Sequence, residues 1–410
     1  PGKEHIMSSN HPWIFSMALQ YDESVPSGSL VDIYDGTGRK FLARGYYNEK
    51  SQIAVRILTR DSQQKIDTDF FVQRFAQLKK MRERFIDSKK TNAYRLVFGE
   101  SDGMPGLIVD RYNSVLVVQV HTMGMEMLKK EVVSALKAVF NPQSIYERSD
   151  IGVRNQEGLL DQPKGLLFGE PLPKELEILE NGIPMLVNIE EGQKTGMFLD
   201  QRENRKALQA YTKDKTVLNC FCYTGGFSLY AALAGAKKVT SVDSSGPALE
   251  TAKRNFELNG LDPKKHEFLD KDVFDLLEEY RNKQTQFDVI ILDPPAFVKN
   301  QKSLKKGLQG YTFINERALQ LLPKGGILIS SSCSAHVTEE MFQKMLALAA
   351  SKARCTLRVL AIQSQPIDHP YNLYFPEGKY LKFFVLLKDE GSLQGFLNLL
   401  VREFSALAGF

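Results

Sequence analysis

Between residues 195 and 331, short apolar runs alternate with stretches of helical periodicity, and this alternation limits the fold more than any other feature of the chain. The pattern predicts strands at 216–220, 238–242, 287–292 and 327–331, with helices at 227–234, 247–258 and 311–321. Strand–helix–strand repeats bury their apolar faces as a mostly parallel sheet with helices on both sides, so the expected class is α/β. The punctuation agrees: Pro247 suits a first helical turn and Asn259-Gly260 suits a helix end. Ligands of such sheets sit outside the carboxyl ends of the strands. The residues just past each strand are therefore where chemistry is sought.

A chain of 410 residues exceeds one ordinary domain. Residues 28–60 read as short strands around the turn Asp35-Gly36-Thr37-Gly38, which predicts a small β-barrel in about the first 70 positions. Residues 68–87 have helical spacing, with Phe71, Phe75, Leu78, Met81 and Phe85 on an apolar side and Lys79, Lys80, Arg82 and Arg84 on the other. That basic side reads either as a solvated face or as an RNA contact. Strands are expected at 107–109 and 115–120, then one helix over 125–140 closed by Asn141-Pro142. The resulting domains are a barrel at 1–72, a mixed α+β domain at 73–185, the α/β domain at 186–388 and a helical extension at 389–410. In that extension Leu393, Phe396, Leu397, Leu400, Phe404 and Leu407 share a helical face.

With 43% hydrophobic and 25% charged residues, the chain has globular composition, and no apolar run approaches membrane-spanning length. Pro1-Gly2-Lys3-Glu4-His5 lacks a signal-peptide pattern, so a cytoplasmic location is expected. Four cysteines suggest no disulfide framework, Cys220-x-Cys222 lacks zinc-finger spacing, and the histidines are scattered; no metal is expected. A net charge of +4 permits a nucleic-acid partner without establishing one.

Three constellations carry chemistry. The first runs from Val217 through Cys222-Tyr223-Thr224-Gly225-Gly226 to Ser228, a strand entering a glycine turn and a helix, with Asp243 ending the next strand. Glycine lets the backbone approach a ligand, and the Asp243 carboxylate suits a ribose diol. The G-x-G-x-x-G pyrophosphate cradle is missing, which favours S-adenosylmethionine over NAD; tight strand–helix packing is the structural alternative. The second is Asp293-Pro294-Pro295, where an apolar strand delivers an acid and two prolines stiffen its exit. Such a group can hold a planar base beside a methyl donor, or be only an acidic turn. The third is Ser331-Ser332-Cys333-Ser334 at the end of the following strand. Cytosine C5 is a poor nucleophile, but a thiolate adding to C6 turns C5 into an enamine carbon able to attack a sulfonium methyl. The alternative for Cys333 is a small buried hydrophobe, and Cys220, Cys222 and Cys355 keep that assignment.

Together with His11-Pro12-Trp13-Ile14-Phe15, the run from Lys194 to Arg202, Val242-Asp243-Ser244-Ser245, Asp368-His369-Pro370 and Tyr380-Leu381-Lys382, these motifs give the chain a resemblance. From about His11 to Leu387 it resembles the PUA-domain-containing 5-methylcytosine rRNA methyltransferases of bacteria and archaea. The resemblance implies a PUA barrel, a small mixed domain, a Rossmann-like methyltransferase domain, an rRNA partner and a dimer. It also implies that Lys194, Thr195, Asp200, Gln201, Arg202, Tyr223, Thr224, Gly225, Gly226, Asp243, Ser244, Asp272, Val273, Asp293 and Pro294 surround S-adenosylmethionine. Cys333 and Asp293 are the implied catalytic groups. By charge alone, Asp272 would be a solvent-facing turn residue and Arg202 a surface cation.

Two departures matter. Ser8-Ser9-Asn10 stands before His11-Pro12-Trp13, where many relatives carry basic residues. Ala296 follows Asp-Pro-Pro in place of the second cysteine of two-cysteine enzymes, so the base that removes the C5 proton is open between Asp293, an ordered water and His369. Candidate RNA contacts are Trp13 and the lysines that follow Asp-Pro-Pro, Lys299, Lys302, Lys305 and Lys306; a solvated charge run reads those lysines equally well. Competing functions are a guanine-nitrogen RNA methyltransferase, which would not need Cys333, and an RNA-binding assembly factor without catalysis.

Overall fold

A computed structural model describes residues 10–20 and 25–389. The helical extension expected at 389–410 therefore lies, beyond Asp389, outside the described residues. Contacts divide the chain into two compact units: Pro1–Asp200 with Pro366–Lys379, and Gln201–Gln365 with the residues from Tyr380 onward.

In the first unit, β1 (Trp13–Ile14), β2 (Leu30–Tyr34), β3 (Phe41–Tyr47) and β4 (Val55–Thr59) form an antiparallel sheet in the order β1-β4-β3-β2. The expected turn between β2 and β3 is tied by Asp35, whose Oδ1 accepts the backbone N–H groups of Thr37, Arg39 and Lys40. Helix α1 (Thr68–Phe85) starts where the Asp67 side chain accepts the Phe70 N–H and buries Phe71, Phe75 and Leu78. Its basic side is not uniformly solvated. Arg82 is buried and donates to Asp102 at 2.5 Å and to the Asp368 carbonyl at 3.1 Å, leaving Lys80 and Arg84 exposed.

A five-stranded sheet follows, built from β5 (Ala93–Phe98), β6 (Leu107–Tyr112), β7 (Val115–Val120), β8 (Ser144–Arg148) and β9 (Lys164–Gly169), with only the β7–β8 pair parallel. The single helix expected over 125–140 is instead α2 (Met123–Met127) and α3 (Lys129–Phe140). Leu128, buried in the core beside α1, breaks from helical geometry between them, a tertiary preference that periodicity does not register. Asn141 ends α3 in the left-handed region, as Asn141-Pro142 led one to expect. A hairpin of β10 (Leu176–Glu180) and β11 (Ile183–Val187) turns through Asn181-Gly182.

The second unit contains α4 (Arg202–Ala207), β12 (Thr216–Cys220), α5 (Gly226–Leu233), β13 (Lys238–Asp243), α6 (Gly246–Leu258), β14 (Glu267–Asp270), α7 (Val273–Asn282), β15 (Val289–Leu292), α8 (Leu304–Leu321), β16 (Ile327–Ser332), α9 (Glu339–Lys352), β17 (Leu357–Gln363) and β18 (Lys382–Lys388). Seven strands pair in the order β14-β13-β12-β15-β16-β18-β17. The first five are parallel, as their helical crossovers demand, while β18 runs antiparallel to both β16 and β17. All four strands expected from the sequence are present. Their apolar residues Leu218, Ile290, Leu292 and Leu328 pack against α8 and α9 in one core.

Candidate active site

From β12 the chain winds outward to β13 and β14, then returns to place β15 on the other side of β12. That reversal opens a crevice at the carboxyl ends of the central strands, the usual ligand position in an open α/β sheet.

The loop leaving β12 is strained. Phe221 (φ 60°) and Tyr223 (φ 48°) are both left-handed, at a cost on the order of 1–3 kcal/mol each. The Cys222 N–H donates to the Val242 carbonyl at 2.9 Å, and the Tyr223 N–H donates to Asp243 Oδ2 at 2.8 Å. Asp243 Oδ1 accepts the Ser245 N–H at 3.0 Å. Each carboxylate oxygen retains a lone pair, which suits a vicinal diol. Gly225 (φ 76°) is the position that admits no side chain: a Cβ there would lie 2.8 Å from the Ala252 Cβ on α6. Its neighbour Thr224 is held through its carbonyl by Asn255 at 3.0 Å. Gly226 opens α5, and Ser244 is exposed just past β13.

Asp272 is more than a solvent-facing turn residue. It is the N-cap of α7, accepting the N–H groups of Phe274 and Asp275 through Oδ1 at 2.8 and 3.2 Å, while Val273 beside it is buried.

On the other side of the crevice, Leu292 pairs with Ser330, so Asp293 comes level with Ser331. The Ser331 hydroxyl donates to Asp293 Oδ1, and Gln201 Nε2 donates to the same oxygen at 2.8 Å. Asn204 Nδ2 in turn holds Gln201 Oε1 at 2.6 Å. Arg202 is buried, with Nε donating to Glu203 at 2.9 Å, and is not the surface cation its charge suggests. Pro294 is buried behind Asp293. Cys333 stands one residue past β16 and is the partly exposed cysteine of the four; the other three are buried. Burial pushes the thiols of Cys220, Cys222 and Cys355 up, which leaves them inert at neutral pH.

The sequence reading gave no site role to Ser331 and Ser334, which it quoted beside Cys333, or to Lys382, which it quoted in Tyr380-Leu381-Lys382, and it missed Asn204 and Tyr311. Ser331 carried a signal, because residues two apart near a strand end share a face with Cys333. Tyr311 arrives from α8 and Lys382 from β18, and nothing local ties either to the cysteine.

Lys194, Thr195 and Asp200 belong to the first unit and are described there. Lys194 (φ 54°) pairs with Asp200 at 2.7 Å and lies over the Phe198 ring at 4.5 Å. Thr195 donates to Asp110 at 2.7 Å and meets the Tyr112 hydroxyl at 2.8 Å. Trp13, half-buried, donates from Nε1 to Glu100 at 2.9 Å and meets Phe375 edge-on at 4.9 Å. His369, a candidate base, is buried against the Phe98 ring at 5.4 Å, and burial lowers its pKa; its environment is that of a packing residue. In the second unit Lys299, Lys302, Lys305 and Lys306 are all exposed, around a 3-10 turn whose Asn300 and Ser303 form a capping box.

The family description S-adenosylmethionine-dependent methyltransferase matches residues 156–365, and a PUA-like domain matches residues 1–60. The chain belongs to the S-adenosylmethionine-dependent methyltransferases. Ribosomal RNA large subunit methyltransferase I of Tolumonas auensis is 47% identical over 386 residues, 94% of this chain and 97% of that protein. The protein of the same name from Aeromonas hydrophila is 44% identical over 387 residues, with the same coverage. A solved structure described as a methyltransferase complexed with SAH is 28% identical, with a TM-score of 0.81 over 94% of this chain and 97% of its own. The cofactor of this methyltransferase is S-adenosylmethionine. The residues present fit it: a carboxylate at Asp243 with lone pairs to spare, beside a strained loop that leads into the opening turn of α5, while Gly225 serves the close packing of that turn on α6.

Proposed function

We propose that this methyltransferase modifies C5 of a cytosine in large-subunit rRNA, in the cytoplasm, through a covalent bond between Cys333 and C6. The observation that carries the proposal is the exposure of Cys333 just past β16, next but one to Ser331, which bonds Asp293. A methyltransferase acting on a ring nitrogen has no use for an accessible thiol at that point. The names of the relatives support the rRNA part of the reading.

Bound S-adenosylmethionine supplies an electrophilic methyl group on a sulfonium. The residues proposed to hold it are Tyr223 to Gly226, Asp243, Ser244, Asp272, Val273 and Pro294, with Gln201 and Arg202 from the chain entering α4. The Cys333 thiolate adds to C6, forming an S–C bond and moving the C5–C6 electron pair onto C5; that carbon would bond the methyl group as the sulfonium S–CH3 bond breaks, its electron pair staying on the departing thioether sulfur. Asp293 accepts the C5 proton, directly or through water. The electrons of that C–H bond restore the C5–C6 double bond and expel the thiolate. Lys299, Lys302, Lys305 and Lys306 hold RNA phosphates, and Trp13 supports RNA binding from the PUA-like domain.

Substituting Cys333→Ala should abolish methylation and leave S-adenosylmethionine affinity within about twofold, while the wild type traps 5-fluorocytidine RNA covalently. Wild-type turnover by Cys333→Ala, or methylguanosine as the product in nucleoside mass spectrometry, would reject the mechanism.

A further inference from the structure

Cys333 sits in a turn braced from two directions. From α8, the buried Tyr311 hydroxyl lies 3.0 Å from both Ser332 Oγ and Ser334 Oγ, the hydroxyls on either side of the cysteine. From β18, Lys382 is in register with Ser332, and its Nζ donates to the Ser334 carbonyl and to the Tyr380 carbonyl, both at 2.6 Å. Lys382 is 4% exposed, so its ammonium sits inside the protein, bonded to the carbonyl of the residue that follows the cysteine.

A buried lysine is expensive to retain, and a methionine or leucine would fill the same space without that desolvation cost. Two backbone carbonyls accept its N–H groups and hold the ammonium beside the turn. A partly desolvated cation this close to a thiol favours the thiolate. Three other titratable groups lie near the turn. Burial pushes the Tyr311 phenol up, despite its bonds to Ser332 and Ser334, so it stays neutral. Asp293, reached through Ser331, is an anion and acts in the opposite sense. His336, on the cysteine's own loop, is exposed.

We propose that Lys382 is a positioning residue for the reaction, holding the Cys333 turn through Ser334 and supplying the positive charge beside which the thiolate forms. Tyr311 is the neutral half of the same brace. The inference deepens the reading of Cys333 as the nucleophile and rests on it for its catalytic meaning.

The test measures Cys333 itself. Because Cys220, Cys222 and Cys355 are buried, iodoacetamide reads Cys333 in the native full-length chain, with Cys333→Ala as the blank. In Lys382→Met the pH midpoint of alkylation should rise by about one unit, and the rate at neutral pH should fall about tenfold. Lys382→Arg, which keeps the charge, should return the midpoint toward the wild type. If Lys382→Met does not fold, Lys382→Gln reads the same quantity, because it keeps a donor and removes the charge. Methyl transfer by the neutral variants should fall in kcat with little change in KM for S-adenosylmethionine. A wild-type alkylation midpoint in either folded neutral variant overturns the proposal. Wild-type methylation by Cys333→Ala would instead overturn the covalent mechanism and leave the alkylation result to be judged separately.

Discussion

Gln201 donates from Nε2 to Asp293 Oδ1 at 2.8 Å, joining the residue that enters α4 to the acid at the end of β15. Because Asn204 anchors the far side of the Gln201 amide at 2.6 Å, this contact fixes where the carboxylate points. Gln201→Leu removes the donor and leaves Ser331 as the remaining named partner of that oxygen. A hydrogen bond to a charged group contributes about 1.5–3 kcal/mol, so kcat/KM for RNA methylation should fall by about 10- to 100-fold. Initial rates with radiolabelled cofactor measure this. A loss under twofold would remove Gln201 from the positioning of Asp293.

Asp243 supports the strained loop as well as offering lone pairs to a ligand. Asp243→Ala strips the acceptors from the Tyr223 and Ser245 N–H groups and loosens the loop in which Tyr223 is left-handed. Titration calorimetry should show S-adenosylmethionine affinity weakened by about 2–3 kcal/mol, near 100-fold. Asp243→Asn keeps one acceptor and should fall between. Equal affinity in Asp243→Ala and the wild type would exclude this carboxylate from the cofactor site.

The sheet was legible because short continuous apolar runs and Gly/Pro punctuation are local signals, and 216–220 appears as β12 with identical bounds. What failed was whatever depends on distant partners. Arg82 reads as surface charge until Asp102 is seen to bury it, and one helix over 125–140 becomes two because Leu128 packs inward. At the candidate site, Asp293 and Cys333 could be read from their places after strands. Ser331 enters through the register of β15 with β16, and Lys382 through an antiparallel strand fifty residues downstream of the cysteine. Register is not written in either segment alone, so the contacts of Ser331 with Asp293 and of Lys382 with Ser334 emerge only when the sheet is assembled.

The four lysines after Asp-Pro-Pro are exposed and lie within eight positions of one another, a geometry suited to tracking a phosphate backbone. Replacing Lys299, Lys302, Lys305 and Lys306 together with glutamine should lower the magnitude of the slope of log K against log salt by about 3, taking ~0.7 per single-strand phosphate contact. S-adenosylmethionine affinity should not change. Filter binding of an rRNA fragment across a salt series measures the slope, and a slope equal to that of the wild type would assign the lysines to solvent.

Acid should destabilise the first unit through His121. Burial, reinforced by Arg95, Arg154 and Arg56, pulls its pKa down to about 4, and its Nε2 has no hydrogen-bond partner among the described residues. The imidazole is therefore neutral when folded, while in the unfolded chain it binds a proton below about 6.5. The unfolded state holds more protons between those values, so the contribution is fully present above pH 6.5 and is lost as pH falls toward 4. A difference of about 2.5 units corresponds to about 3 kcal/mol across that window. His121→Leu removes the titration, and with it this share of the slope, although His369, also lowered by burial, continues to contribute in the same direction. Thermal unfolding followed from pH 7 to 4 should therefore give a steeper decline in the wild type than in His121→Leu. Parallel curves would mean that the ring is already solvated in the native protein.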